Sequence, residues 1–301
     1  MLAPGLRLVT AQRGRQARRR VDGPSGAAAR AQCVRGTGSV NPGMSADPTD
    51  AGAVNSLVMT RRPALRAVVF DAGHTLLELD YPRLTAYLMS RGHALAQAAV
   101  AEAERRARMR LDVERAAQAT RERTGEGRYV RYLVEYLGIT DDAERSAIAE
   151  WRRGFNVPIG LCHQADGEAA TALQYARDMG LVVGVISNSN GSVRRALDEA
   201  GLAAYLQFVI DSSVVGMTKP DPRIFELGVR AARAAPEEAV YIGDSYFVDV
   251  VGARRAGLGA VLFDPGRVWG ARDCAIATDL CAAVEQALDQ CPTSSGLKGD
   301  G

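Results

Sequence analysis

Five side chains in this sequence put acid, amine and hydroxyl chemistry where a parallel α/β sheet collects its ligands: Asp71, Ser187, Lys219, Asp244 and Asp249. Asp71 follows an apolar run, Ala67 to Phe70, that reads as a buried strand. The residues behind it, Ala72-Gly73-His74-Thr75, are small or polar and suit a tight loop. Ligands of open α/β sheets bind outside the carboxyl ends of strands, so a carboxylate there can serve as nucleophile, metal ligand or both. A second apolar run, Leu181 to Ile186, ends in Ser187-Asn188. That hydroxyl and amide can donate to an oxyanion, or they can cap the helix that follows.

Lys219 stands out by composition. Of 37 basic residues only Lys219 and Lys298 are lysines, so arginine serves wherever a generic positive charge will do. A lysine held between Gly216 and Pro220-Asp221-Pro222 supplies a compact ammonium, which a tight site around a phosphoryl group or carboxylate requires. It can equally be a leftover surface lysine. Asp244 and Asp249 straddle the end of a strand, Ala239–Ile242, and the start of a helix, with Gly243 allowing a sharp exit. Paired hard carboxylates with few other protein ligands suit Mg²⁺; the bland alternative is one helix cap and one surface acid.

The elements that must position these groups follow from periodicity. Residues 81–165 are read as a helical block, with Leu84, Leu88, Leu95 and Val100 as apolar faces, an amphipathic stretch from Ala101 to Arg123, a break at Thr124 to Gly127, and resumption at Tyr129 to Leu137. From Asp166 onward helices and strands alternate: helix 168–179, strand 181–186, helix 192–200, strand 208–210, helix 222–232, strand 239–242, helix 248–256, strand 259–263 and helix 280–288. This predicts an α/β fold, a Rossmann-like doubly wound parallel sheet (61–80 and 166–290) with an all-helical insertion after the first strand. Residues 1–60, with eight arginines and one acid before position 47, read as disordered, as a start misplaced from Met44 or Met59, or as a targeting segment; 291–301 read as a flexible tail.

A net charge of +2 gives no field for nucleic acid or an anionic membrane. No apolar stretch reaches the length of a membrane span. The five cysteines show no metal-type spacing and are expected to be thiols in a reducing, cytoplasmic compartment.

Taken in order, the motifs resemble those of the haloacid dehalogenase superfamily of hydrolases, over about residues 65–270. The resemblance implies a Mg²⁺-dependent phosphatase for a small phosphorylated substrate, monomeric or homodimeric, with the helical block as its cap. It makes Asp71 the nucleophile and has Ser187 and Lys219 bind the phosphoryl group, with Asn188 and Thr75 as supporting substrate contacts. The metal falls to Asp71, Asp244, Asp249 and the Gly73 carbonyl. Arg128, Arg131, Arg152 and Arg153 are cap residues that can face substrate. The sequence departs from that pattern at Gly73, where the family's phosphatases carry a second Asp as general acid and base. Losing such a group costs about 10²–10⁴ in rate. His74, one residue further on, has a suitable imidazole but need not reach the same atoms. Two other readings remain: a non-catalytic phospho-ligand or protein-binding module, and a metal-independent 2-haloacid dehalogenase.

Overall fold

The computed structural model describes residues 64–117, 125–155 and 160–290; the expected amino-terminal segment, its possible start sites and the tail lie outside them. Strand β1 (Ala67–Phe70) is buried along its whole length, as a strand covered on both faces must be, and its sequence is accordingly apolar at every position. It is the centre of a six-stranded parallel sheet of order β5-β4-β1-β6-β7-β8. The flanking strands are β4 (Val182–Ser187), β5 (Phe208–Asp211), β6 (Ala239–Gly243), β7 (Gly259–Phe263) and β8 (Ala275–Ala277). Ala67 is level with Val182 on one side and with Ala239 on the other. The chain moves outward from β1 in opposite directions, so the crevice at the carboxyl ends of β4, β1 and β6 is the topological switch point. Asp71, Ser187 and Asp244 leave the sheet there.

One apolar layer joins Val68, Phe70, Val183, Val185 and Ile242 to Leu173 and Leu197 on one face of the sheet. The other joins Val69, Ile186 and Tyr241 to Ile224, Phe225 and Val250. The helices expected over the sheet are present as α5 (Ala169–Asp178), α6 (Val193–Glu199), α7 (Pro222–Ala232) and α8 (Leu280–Gln290). Helix α7 begins where Asp221 accepts a hydrogen bond from the Arg223 backbone and Pro222 supplies the first helical position.

The helical insertion consists of α1 (Tyr81–Ser90), α2 (Gln97–Ala117), α3 (Gly125–Tyr136) and α4 (Asp142–Phe155). It has its own core of Leu84, Leu88, Val100, Tyr132, Leu133 and Ile148, and Tyr87 stacks on Trp151 at 4.1 Å. Four features depart from expectation. Gly125 and Gly127 lie inside the first turn of α3 rather than in a break. The chain enters and leaves the insertion through a two-stranded antiparallel ribbon, β2 (Leu77–Leu79) with β3 (Cys162–Ala165), so residues 81–165 end in a strand. The helix expected over 248–256 is a π-helical turn, Tyr246–Val251, running into Gly252–Arg255. Cys162 and Cys274 are free thiols, but Cys281 is disulfide-bonded.

Helix α2 fastens the insertion to the sheet. The buried Asp112 carboxylate accepts hydrogen bonds from Ser245 Oγ and from the backbone N–H groups of Phe247 (2.7 Å) and Val248 (3.2 Å). A carboxylate from one element thus caps the first turn of another. Asp112→Ala orphans these donors and should cost about 1–3 kcal/mol in urea unfolding. Asp112→Asn, which keeps an acceptor oxygen, should cost less.

Candidate active site

Asp71, Ser187, Lys219, Asp244 and Asp249 converge on one cavity of about 440 Å³ at the switch point. At its floor the Lys219 ammonium lies 2.8 Å from Asp71 Oδ1 and 2.7 Å from Asp249 Oδ1, and donates to Tyr241 Oη at 2.9 Å. Tyr241 in turn donates to the Ile186 carbonyl at 2.7 Å. Burial by itself would depress the lysine's pKa, but Asp249 and Asp71 outweigh it and the net shift is upward. Lys219 is therefore a fixed cation and not a leftover surface charge.

The acids form a cluster. Asp71, Asp244 and Asp249 each offer an oxygen, and these oxygens lie within 4.8 Å of one another. Burial, opposed by Arg108 and reinforced by Asp249 and Asp71, pushes Asp244 up to about 8; burial, opposed by Lys219, pushes Asp249 up to about 6. Three hard carboxylates crowded until two resist ionisation are a fitting donor set for a divalent cation such as Mg²⁺. Gly243 makes room for the cluster: a Cβ there would lie 2.5 Å from the Asp249 carboxylate. The π-turn completes the arrangement, because the Ser245 N–H donates to Asp249 Oδ2 at 3.0 Å and the carbonyl of Ser245 accepts from Asp249 and Val250.

Of the two expected substrate contacts, Asn188 reaches the cavity and Thr75 does not. Asn188 lines the cavity, but its amide is engaged with the backbone of Lys219, accepting from its N–H at 2.8 Å and donating to its carbonyl at 3.0 Å. It positions the lysine. Thr75 is buried behind the loop, outside the cavity lining. Ser187 does line the cavity, at the end of β4. The loop beyond it is held by Asp211, which accepts from the Gly191 N–H at 3.0 Å and the Ser213 N–H at 3.0 Å.

His74 takes a left-handed backbone, φ 60°, and its Nε2 lies 3.5 Å from both Glu104 Oε1 and Cys162 Sγ. Burial, with Arg108 adding repulsion, lowers its pKa to about 4, so the imidazole is neutral near pH 7. Burial likewise lifts the Cys162 thiol to about 12, which leaves it unreactive.

The residues that sequence reading missed come from α2. Glu104, Arg108 and Asp112 recur every four residues and so share one face. Arg108 reaches into the cavity and pairs with Asp244, while its Nε lies 2.9 and 3.0 Å from the two oxygens of Glu104. Glu104 is fully buried and also accepts from Tyr81 Oη at 3.1 Å and Tyr129 Oη at 2.9 Å. Burial would raise its pKa, yet Arg108, His74 and Tyr129 bring it down to about 2. Of the four cap arginines expected to face substrate, Arg152 lines the cavity, Arg128 is half-buried outside its lining, Arg131 bonds to Tyr132 Oη, and Arg153 is exposed.

Residues 65–257 match the haloacid dehalogenase-like hydrolase family. The chain belongs to that family. It is 43% identical over 100 residues to a phosphoserine phosphatase of Thermus thermophilus, covering 33% of this chain and 40% of that protein. It is 34% identical over 134 residues to a haloacid dehalogenase-like hydrolase domain-containing protein 3 of Bos taurus, covering 44% of this chain and 53% of the other. The matched regions thus span only about half of these relatives. A magnesium-bound HAD-hydrolase from Bacillus subtilis shares the fold with a TM-score of 0.56 at 18% identity, over 74% of this chain and 99% of that one.

The pKa values of Asp249 and Asp244 lie above the ordinary 3.8, so the folded protein holds protons that the unfolded chain releases. This stabilisation is complete below about pH 4 and is lost as pH rises through the folded-state values near 6 and 8. Thermal melts of chelator-treated protein should therefore show these two groups lowering stability from pH 5 to pH 8.5. Asp244→Asn should flatten that slope, and added Mg²⁺ should stabilise the unmodified protein more at pH 8 than at pH 5.5.

Proposed function

We propose that this protein is a Mg²⁺-dependent phosphatase that hydrolyses a small phosphorylated metabolite through an aspartyl-phosphate on Asp71. The observation that carries this reading is the Asp71–Lys219–Asp249 assembly, with Asp244 beside it, at the switch point of the sheet. The phosphoserine phosphatase relative supports phosphoryl chemistry.

Lys219 fixes one oxygen of Asp71 and so orients the carboxylate for in-line attack on phosphorus. The bond from phosphorus to the leaving oxygen breaks as the bond from an Asp71 carboxylate oxygen to phosphorus forms, and the leaving oxygen takes its proton from water because Gly73 has none to give. Lys219 and the Ser187 hydroxyl face the phosphoryl oxygens and hold the group in line. Water then hydrolyses the acyl phosphate, releasing inorganic phosphate and restoring the Asp71 carboxylate. Asp71, Asp244, Asp249 and the Gly73 carbonyl would hold Mg²⁺, which neutralises phosphoryl charge when bound. The helical insertion acts as the cap that excludes water.

Arg108 bears on the metal-free alternative, since its guanidinium already pairs with Asp244. A dehalogenase would release halide from 2-haloacids in EDTA; a phosphatase requires Mg²⁺ and leaves haloacids untouched. Purified protein should release phosphate from p-nitrophenyl phosphate and from a panel of phosphorylated metabolites only with Mg²⁺. Asp71→Asn should lower kcat by at least about 10³. Absence of Mg²⁺-dependent turnover across the panel would overturn the assignment.

Gly73 yields a prediction in the opposite direction. A Cβ at this position would meet only Cys162 Sγ, at 4.0 Å, so the backbone there accepts a Cβ without a clash. Gly73→Asp should therefore supply the absent proton-transfer group. The expected gain in kcat is about 10²-fold for alkyl phosphates, whose leaving group needs a proton, and much less for p-nitrophenyl phosphate.

A further inference from the structure

Two cations in the cavity wall have no carboxylate partner among the described residues. Lys219 is engaged by Asp71 and Asp249, and Arg108 by Glu104 and Asp244. Arg152, on α4, and Arg115, on α2, line the same cavity and make no such pair. The guanidinium carbon of Arg152 lies 4.0 Å from the centre of the Tyr129 ring, and that ring is anchored by its own hydrogen bond to Glu104. A guanidinium resting on an aromatic ring is held in place without using its N–H donors on another side chain, which leaves them for a carboxylate or phosphate. Arg115 lies one turn beyond Asp112, whose oxygens are already taken by Ser245, Phe247 and Val248. Burial lowers the pKa of Arg115, and the opposing pull of Asp112 and Asp249 does not cancel it. The cavity, about 440 Å³, has the size of a small-metabolite site.

We propose that Arg152, assisted by Arg115, forms a second anion subsite, and that the substrate is a phosphate monoester carrying another anionic group on its leaving portion. That group is a carboxylate or a second phosphate. The inference rests on the phosphatase reading of the same cavity, which places the scissile phosphoryl group against Asp71, Ser187 and Lys219. The leaving portion then extends toward the insertion, where the uncommitted guanidinium groups stand.

Calorimetric titration of the Asp71→Asn protein in Mg²⁺ tests the proposal with three esters of similar size: 3-phosphoglycerate, propane-1,3-diol bisphosphate and glycerol 3-phosphate. At least one of the two doubly anionic esters should bind about tenfold or more tightly than glycerol 3-phosphate, the scale of a charge-assisted contact. The tighter of the two identifies the group as carboxylate or phosphate. Arg152→Ala should reduce this preference to near unity, and Arg152→Lys should retain part of it. Binding of none of the three, equal affinity for all three, or a preference that survives Arg152→Ala and Arg115→Ala together overturns the subsite. Phosphate release by the unmodified enzyme is measured in parallel. A retained affinity preference without any turnover would sink the hydrolytic reading while leaving the anion subsite standing.

Discussion

An ammonium ion removed from water must be surrounded by acceptors, and the centre of this structure is arranged around that requirement. Lys219 is buried, and its partners Asp71, Asp249 and Tyr241 come from β1, the π-turn after β6, and β6 itself. A buried charge without partners costs several kcal/mol, and a buried pair stripped of one member about 3–5 kcal/mol. The same ion pairs that orient Asp71 therefore also hold the strand ends together. Asn188 grips the lysine's backbone, Gly243 leaves space for the Asp249 carboxylate, and the π-turn aims that carboxylate inward. Each detail serves to keep one cation between two anions.

The second layer of control comes from α2. Arg108 reaches Asp244 from outside the sheet, and Glu104 holds Arg108 in place from within a cage of Tyr81, Tyr129 and His74. Asp112 completes the contact four residues later. The insertion is thus joined to the sheet by charges that belong to the chemistry of the site. A divalent ion gathered by the three aspartates would compete with Arg108 for Asp244, so metal occupancy and seating of the insertion share one carboxylate.

The fold and the centre of the site were legible because both are written in local patterns. Apolar runs ending in Asp71, in Ser187 and at Gly243 mark the buried strands and their reactive ends, and the scarcity of lysine draws attention to Lys219. The α2 contacts were not legible. Glu104, Arg108 and Asp112 lie in a charge-rich helix, and four-residue spacing of charges ordinarily marks a solvated face. Only the docking of that face against the turn that follows β6 makes them interior. The β2–β3 ribbon was missed because three- and four-residue strands carry little periodicity, although Leu77-Glu78-Leu79 does alternate and its burial follows that alternation. Thr75 is a substrate contact by its place in the motif alone, whereas side-chain direction decides what a hydroxyl touches, and Thr75 is buried away from the cavity.

Tyr241 gives the sheet an interlock. Its hydroxyl takes a hydrogen bond from Lys219 and passes one to Ile186, so it spans from β6 to β4 across the central strand β1. Segments far apart in the chain must all arrive in register before this bridge can close. A collapsed chain with one strand slipped would bury an ammonium, two carboxylates and a phenol without their mates, and such a state is penalised heavily. The Asp71 carboxylate therefore meets its ammonium partner only in the correctly assembled sheet. A misassembled molecule would leave that carboxylate without its cation, and the pocket around it would not form.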